Sequence, residues 1–287
     1  MPSLRDLRRR IRSVQNTQKI TRAQQVVSAT KLRRAQQAVQ IARPYAERMR
    51  EVLESTAQLA SEYRHPYLLP REGSRTLIVV VTSDRGLCGT LNTSVLRKVN
   101  QYAAQHSDGA TNYVTIGRKG RDFLLRFGRP VLADASSLRD RPPIRTILPA
   151  ISVAQQEFEA GRADTVLLAY SKWVSTLRQE AVLRQLLPVD LTDTTTAQST
   201  ADYLYEPGPE EVLDELLPRY VETQVYQALL ENQASEHSAR MIAMQNATNA
   251  AGDLIDSLTL TANKVRQAAI TTELMEILSG AEALTTA

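Results

Sequence analysis

The segment 82–92 is the first place in the chain where residues suited to chemistry occur together. It reads Thr-Ser-Asp-Arg-Gly-Leu-Cys-Gly-Thr-Leu-Asn and follows an aliphatic run typical of a buried strand. Many α/β folds hold phosphate groups in the loop after their first strand. However, the glycines lack the dinucleotide-binding spacing, and no Gly-Lys-Ser/Thr of a phosphate-binding loop follows. We interpret Gly86, Cys88 and Gly89 as a structural turn, and a nucleotide-binding loop is the alternative.

Cysteine and histidine could supply a nucleophile or a metal site. Cys88 is the single cysteine of the chain, which excludes an intramolecular disulfide and fits a reducing compartment. No histidine lies near it in the sequence to act as a base. His65, His106 and His237 are far apart and have no cysteine at metal-ligand spacing. We therefore expect no metal, no cofactor and no catalytic residue.

Charge is distributed very unequally between the two ends of the chain. Residues 1–50 contain thirteen Arg or Lys and two acidic residues, whereas residues 209–287 contain twelve acidic and four basic residues. A basic arm is usually a solvated face or a nucleic-acid patch. No aromatic residues interrupt the cluster Arg8, Arg9, Arg10 and Arg12, so base stacking is not indicated. The opposite charges predict that the two ends attract each other.

The N-terminal end has the pattern of one long helix. Ser3 and Asp6 predict a capping box, and no glycine occurs before Gly73. Apolar residues then follow a 3,4 spacing typical of a coiled coil, at Leu4, Leu7, Ile11 and Val14. We expect this stripe to continue, after a phase shift, through Ile20, Ala23 and Val27. Pro44 predicts a kink or a break.

The C-terminal end has a longer repeat of the same kind. Pro209 suits a helix start, with a possible break at Pro218. Mostly apolar or small residues recur at alternating spacings of 4 and 3 at positions 230, 234, 237, 241, 244, 248, 251, 255, 258, 262, 265, 269 and 272. His237 lies on this seam, where a polar residue can set the register. Gly280 predicts the end of the helix.

Between these ends the sequence pattern changes to one of alternating strands and helices. The pattern predicts strands at 76–82, 113–116, 131–133, 165–170 and 181–187, with helices at 93–105, 117–127 and 144–159. This is the signature of a doubly wound, partly parallel α/β domain. Tyr170 and Trp173, in or just after a strand, are interpreted as core or partner-facing residues of this domain. Residues 192–208 indicate a linker.

These elements predict the fold class α/β: a long antiparallel coiled coil of the terminal helices plus a small Rossmann-like domain. The expected domains are residues 1–64, 75–191 and 209–287. Helices of this length must bury their apolar stripes against a partner, and a homodimeric coiled coil is the rival to intramolecular pairing. The longest aliphatic run, 77–81, is far below the ~20 residues of a membrane span. The basic N-terminus lacks the apolar core of a signal peptide, so we expect an intracellular protein, soluble or peripheral to a membrane.

Three segments carry a specific pattern of residues. The first reads Ile-Arg-Ser-Val-Gln-Asn-Thr-Gln-Lys-Ile-Thr at 11–21, followed by Ala-Thr-Lys-Leu-Arg-Arg-Ala-Gln at 29–36. The second is Ser-Asp-Arg-Gly-Leu-Cys-Gly-Thr-Leu-Asn at 83–92. The third is Arg-Gln-Ala-Ala-Ile-Thr-Thr-Glu-Leu-Met-Glu-Ile-Leu-Ser-Gly-Ala at 266–281. Over essentially its whole length, the chain resembles the gamma subunits of F-type ATP synthases.

The resemblance implies a central-stalk rotor subunit that is not itself catalytic. It implies that the terminal helices form a shaft inside a head of alpha and beta subunits. The α/β domain would lie beside the epsilon subunit and the membrane ring of c subunits. Such a shaft couples ion flow to ATP synthesis or hydrolysis and influences ATPase activity and proton flow. The implied location is the cytoplasmic face of a bacterial cell membrane, with no cofactor and no nucleic-acid partner.

The resemblance also implies roles for individual residues. Arg266, Gln267 and Thr271 match family positions that contact a loop of the catalytic subunit, and the alternative is an ordinary solvated helix face. The family often has methionines in the turn where this chain has Gln24 and Gln25, so no coupling role is carried over there. A single cysteine cannot form the disulfide switch of chloroplast relatives.

Two other functional classes stay open from the residues alone. One is a coiled-coil scaffold that binds nucleic acid through residues 5–34, whose binding would weaken strongly with salt. The other is an enzyme that binds a nucleotide in the loop 84–92.

Overall fold

The computed structural model describes residues 3–59, 63–106, 109–191 and 208–285. Its helices and strands, in chain order, are α1 Leu4–Leu59, β1 Thr76–Val81, α2 Leu91–Gln105, β2 Thr111–Ile116, α3 Arg118–Arg126, β3 Val131–Ala135, a 3-10 turn Ile144–Thr146, α4 Leu148–Glu159, β4 Thr165–Trp173, β5 Gln179–Leu187 and α5 Pro209–Thr285. Every predicted element is present. Apart from Gly208, the predicted linker lies outside the described residues, as do residues 60–62 of the predicted N-terminal segment and 286–287 of the C-terminal one.

The terminal helices continue through the residues at which the sequence predicts an interruption. The capping box at the start of α1 is confirmed: the Asp6 amide donates to Ser3 Oγ at 3.2 Å, and that hydroxyl donates to Asp6 Oδ2 at 2.7 Å. A break at Pro44, one of the two outcomes predicted there, is absent, and the possible break at Pro218 and the predicted end at Gly280 are wrong, since both helices continue through these residues. Pro44 is exposed, but buried residues such as Ala46 follow it, so packing outweighs the lost backbone hydrogen bond.

The chain divides into two compact units. The first comprises the described residues of Met1–Val27 and Met241–Ala287, and the second those of Ser28–Arg240. In the first unit, Gln18 Nε2 donates to the Thr248 carbonyl at 3.4 Å, and Gln25 Nε2 donates to Gln245 Oε1. The Thr21 and Thr248 hydroxyls lie 2.7 Å apart. Rising numbers on α1 meet falling numbers on α5, so the predicted antiparallel pairing is confirmed in this unit.

The predicted phase shift in α1 is wrong. Ile20 and Val27 are 61% and 54% exposed, whereas Thr21 is 9% exposed. The 3,4 spacing that starts at Leu4 and Leu7 continues without interruption, through polar positions. Hydrophobic residue type therefore misidentified the buried face, which the helical period defines.

The predicted seam of α5 is confirmed only in part. At 244, 248, 251, 255, 258, 262 and 265 the side chains are buried or half-buried. The predicted positions 269 and 272 are exposed, as is every side chain from 266 to 279. In the described part of this unit, no ion pair joins the two helices. The opposite charges of the two ends therefore do not supply the contacts of the seam.

The α/β domain in the second unit is doubly wound, as predicted. Its five strands have the order β3-β2-β1-β4-β5, with β5 antiparallel to β4 and the other neighbours parallel. All six residues of β1 are buried, as expected for a central strand covered on both faces. Helices α2 and α3 pack on the face of Ile78 and Val80, and α4 packs on the face of Leu77 and Val79.

Parts of the two terminal helices belong to this second unit and share its core. Leu53 of α1 and Leu217 of α5 lie in the same apolar cluster as α4. Farther along, small residues of α1, Ala35 and Ala38, pack against Ala234 of α5. The antiparallel pairing is thus present in this unit as well. Among the described residues, no helix combines the length and apolar character that crossing a bilayer requires.

Candidate functional site at the carboxyl edge of the sheet

The turn after β1 is built by a polar network around Asn92, the second residue of α2. The Ser83 amide donates to Asn92 Oδ1 at 3.0 Å, and Asn92 Nδ2 donates to Ser83 Oγ at 2.7 Å and to Cys88 Sγ at 3.3 Å. Leu87 and Gly89 both have left-handed backbone, with φ of 63° and 58°. A glycine is favoured at such an angle, but Leu87 adopts it with a side chain.

The three predicted turn residues have different environments. Gly89 needs its left-handed φ, whereas a side chain at Gly86 would meet only Lys119, at 3.9 Å. Cys88 is 2% exposed, and burial raises the pKa of its thiol. A raised pKa disfavours the reactive thiolate. This geometry supports the structural-turn interpretation of Gly86, Cys88 and Gly89, which stays a prediction.

Asp84 is the residue of this loop whose role the sequence did not reveal. Its Oδ1 accepts from the Arg118 amide at 2.9 Å and the Ser137 amide at 3.1 Å, and its Oδ2 accepts from the Leu138 amide at 2.7 Å. One carboxylate thus joins the segments that follow β1, β2 and β3. Its position directly after a buried strand was the available signal, because the carboxyl ends of neighbouring parallel strands meet at one edge.

The crevice where doubly wound folds usually bind ligands is filled by α5. Strand order reverses between β1 and β4, and ligands of such folds lie outside the carboxyl ends of strands at this point. Here the buried Ser171 amide of β4 donates to Asn232 Oδ1 at 3.2 Å, and Ser235 Oγ donates to the Ser171 carbonyl at 3.0 Å. Both backbone groups of Ser171 are therefore paired with α5.

A largely buried ion pair on α5 contacts the loop after β1. Arg240 Nη2 donates to Glu236 Oε1 at 2.6 Å, and the two side chains are 12% and 13% exposed. Arg240 also donates to the Gly86 carbonyl, from Nε at 3.2 Å and from Nη2 at 3.1 Å. Burial raises the pKa of the Glu236 carboxyl, and the adjacent guanidinium opposes that shift.

A second charged group lies beside the first. Asp140 Oδ2 is 2.9 Å from Lys31 Nζ, and Asp140 Oδ1 is 3.6 Å from His237 Nε2. Burial lowers the pKa of His237 to about 4, although Asp140 opposes the shift. The imidazole on the predicted seam is therefore neutral near neutral pH, and it contacts a loop of the α/β domain.

The cavity at this edge has no clear preference for one charge. It has a volume of about 380 Å³, and its lining includes the cations Lys31, Arg85 and Arg139 together with the anions Asp84 and Asp140. Lys31 and the two carboxylates already have partners in the protein. No group of three His, Cys, Asp or Glu among the described residues could hold a metal ion. The arrangement does not favour the nucleotide-binding alternative.

The predicted partner-binding residues lie elsewhere, in the first unit. Arg266, Gln267 and Thr271 are all exposed on α5, just after the seam ends at Val265. The Thr271 hydroxyl donates to the Gln267 carbonyl at 2.9 Å, four residues earlier. Apolar side chains on the same stretch are at least 49% exposed: Ile270, Leu274, Met275, Ile277 and Leu278. We name residues 266–279 the tip of α5.

Two features define the class of this protein: its terminal helices are antiparallel, and its own helix fills the ligand crevice. These features are typical of a structural protein built on paired helices and distinguish it from the nucleotide-binding enzymes that share its type of sheet. Comparison with known proteins is consistent with that class. A family model described as ATP synthase matches residues 3–284.

Curated relatives cover almost the whole chain. The ATP synthase gamma chain of Chloroflexus aurantiacus is 51% identical, over 99% of this chain and 100% of that protein. The ATP synthase gamma chain of Ralstonia nicotianae is 48% identical with the same coverage. The chain therefore belongs to the ATP synthase gamma-chain family.

Solved structures agree on the fold. A chain of the Tetrahymena thermophila mitochondrial ATP synthase, central stalk and c-ring, is 25% identical with a TM-score of 0.61, covering 79% of this chain and 99% of that one. A chain of the Euglena gracilis mitochondrial ATP synthase rotor is 16% identical with a TM-score of 0.68, covering 93% and 98%. The predicted fold class and family are confirmed.

Proposed function

We propose that this chain is the rotor subunit in the central stalk of an F-type ATP synthase. In this role it couples ion flow through a membrane ring of c subunits to ATP synthesis or hydrolysis in a head of alpha and beta subunits. The chain is a non-catalytic subunit of that complex. Its contacts change the affinity of sites on other subunits as it turns, which is control by differential binding.

The observation that carries this proposal is the exposed tip of α5. Burying a large apolar side chain is worth about 1.5–3 kcal/mol, and five such side chains lie exposed within residues 270–278. A stretch like this marks a site of interaction with a partner. In the proposed assembly that partner is the head of alpha and beta subunits.

The division of the chain follows from the same proposal. Residues 1–64 and 209–287 form the shaft, and residues 75–191 form the base beside the epsilon subunit and the c-ring. The complex would place the chain at the cytoplasmic face of a bacterial cell membrane as a peripheral protein. An influence on ATPase activity and proton flow follows from its position between head and ring.

Within the tip, we propose that Arg266, Gln267 and Thr271 bind a loop of the catalytic subunit. All three are exposed on about one and a half turns of helix, so their polar groups are available to a partner. Replacing the three with alanine should lower the ATP turnover of the assembled complex by about tenfold, because hydrogen bonds to charged groups are worth about 1.5–3 kcal/mol. The measurement is steady-state ATP hydrolysis by variant and original complexes that have the same subunit composition.

A control lies just before these residues on the same helix. Thr261, Asn263 and Lys264 are also exposed and supply a hydroxyl, a carboxamide and a cation. Their replacement with alanine should leave turnover within twofold of the original value. If neither triple variant lowers turnover, Arg266, Gln267 and Thr271 form an ordinary solvated face.

The scaffold that binds nucleic acid is the rival function. Arg8, Arg9, Arg10 and Arg12 are exposed, so a phosphate backbone could reach them. Tight DNA binding by the isolated chain, with a steep dependence on salt, would favour that rival. Membership of the gamma-chain family favours the rotor.

A further inference from the structure

A short stretch of α5, residues 232–240, is held by three separate segments of the α/β domain. We name these segments and their contacts the collar. They are the loop after β1 at Gly86, the loop after β3 at 139–141, and the β4–β5 hairpin at Ser171, Thr176 and Gln179. All of these residues belong to the second compact unit.

The hairpin contacts one side of the helix. Asn232 and Ser235 bind both backbone groups of Ser171, as described above. One turn farther on, Ser238 Oγ donates to the Thr176 carbonyl, and Gln179 Nε2 donates to Ser238 Oγ at 3.3 Å. Ser235 and Ser238 are fully buried, so these hydrogen bonds are shielded from water.

The two loops contact the other side. Gln233 Nε2 donates to the Arg139 carbonyl and accepts from the Arg141 amide at its Oε1, both at 3.3 Å. Arg240 binds the Gly86 carbonyl and is held by Glu236. Most of these bonds end on backbone atoms of the α/β domain.

The angles around the helix show what this arrangement does. At ~100° per residue, the hairpin-facing residues centre ~150° from the loop-facing residues. A third side, at Leu230 and Ala234, packs against α1 through Ala35 and Val39. Turning α5 about its own axis would break directional bonds on both sides, and on the hairpin side it would leave the buried amide and carbonyl of Ser171 unpaired, which is costly.

We propose that the collar is the element that transmits torque between the α/β domain and α5. This proposal rests on the rotor function proposed above and assigns positioning roles to Arg240, Gln233 and Ser238. Apolar ridges alone would allow small rotations of a helix with little change in buried area, because the hydrophobic effect is not directional. The hydrogen bonds of the collar define one angle of α5 relative to the sheet.

The test measures coupling under load in the complete complex, reconstituted in lipid vesicles. ATP-driven proton pumping and ATP hydrolysis are measured together as the opposing proton gradient is increased. In the double variant Arg240→Ala with Ser238→Ala, hydrolysis without a gradient should stay within twofold of the original. The ratio of pumping to hydrolysis against the full gradient should fall at least threefold, because the helix slips when it is loaded.

The control is another Glu–Arg pair with the same spacing on the same helix. Arg219 Nη2 donates to Glu215 Oε1 at 3.0 Å, but both side chains are more than half exposed and the pair faces solvent. Arg219→Ala should leave the ratio unchanged at every gradient. The conservative variant Arg240→Lys keeps the charge but not the fork of donors, and it should lower the ratio by less than the double variant.

A merely structural role would lower the yield of complex without changing the ratio per assembled complex. That outcome in the double variant would overturn the proposal. If the double variant does not assemble, Arg240→Lys and Ser238→Ala are measured singly, and an unchanged ratio in both overturns it. Should the unaltered chain itself support no pumping in an assembled complex, the rotor function fails instead.

Discussion

At the scale of residues, two half-buried polar side chains of the carboxyl edge are explained by the groups they bind within the protein. Asp84 accepts three amides from two other segments, and Asn92 closes the turn that contains Cys88. Both residues have side chains that could do chemistry, but their hydrogen-bonding capacity is used within the protein. A polar residue after a buried strand is therefore evidence of a loop junction as much as of catalysis.

His237 should make stability depend on pH in a defined direction. Its folded-state pKa is about 4 because it is buried, whereas an unfolded histidine has a pKa of ~6.5. The unfolded chain therefore binds this proton more readily, so stability falls as the pH drops from ~6.5 towards 4. We expect His237→Gln to remove about 1–3 kcal/mol of that loss, measured by urea unfolding at several pH values.

The matched control for this variant is His106→Gln, at the exposed end of α2. Because this side chain is exposed, its replacement should change the free energy of unfolding at neutral pH by less than about 0.5 kcal/mol. Some slope should also persist in His237→Gln, because burial lowers the pKa of His65 as well. A slope in His237→Gln equal to that of the original chain would contradict the prediction.

At the scale of elements, helical period and residue type disagree in α1, and the period is correct. The 3,4 repeat places polar Gln18, Thr21 and Gln25 on the seam of the first unit. Ile20 and Val27 then lie outside it. Polar groups on a seam lower stability but define the register of the pair, since each hydroxyl or amide needs a specific partner.

Two alanine substitutions in the first unit test this assignment. Ile20 is 61% exposed, so Ile20→Ala should change the free energy of unfolding by less than about 0.5 kcal/mol. Leu7 is 4% exposed, so Leu7→Ala should cost about 2 kcal/mol or more. Chemical denaturation of the isolated chain measures both. A larger loss of unfolding free energy for Ile20→Ala than for Leu7→Ala would support the phase shift predicted from residue type.

At the scale of the whole molecule, apolar surface is exposed where the proposed function needs a partner. The tip of α5 continues past the end of the seam, and in the described part of the chain none of its side chains is buried. A chain that buried all its large apolar side chains in its own core would not leave Ile277 and Leu278 more than 60% exposed. The exposed stretch is expected in a subunit of a larger assembly.

Charged substitutions at the tip should therefore raise the solubility of the isolated chain and weaken its assembly with other subunits. Ile277→Glu with Leu278→Glu should reduce association of the isolated chain, measured by light scattering, because it removes exposed apolar surface. The same change should weaken assembly with alpha and beta subunits at least tenfold, measured by titration against the purified subunits. Leu177→Glu is the control, since Leu177 is 83% exposed at the β4–β5 turn and lies outside the tip.

The sequence by itself determined the types of the elements, the matching periodicity and opposite charge of the two ends, and the family. These properties depend on local periodicity, on composition and on motifs that neighbours along the chain define. Only the tertiary structure decided that α5 fills the ligand crevice, that Asp84 joins three segments and that Arg240 binds the Gly86 carbonyl. Those facts depend on which backbone groups approach each other in space, and residues 154 positions apart carry no shared periodicity that could reveal it.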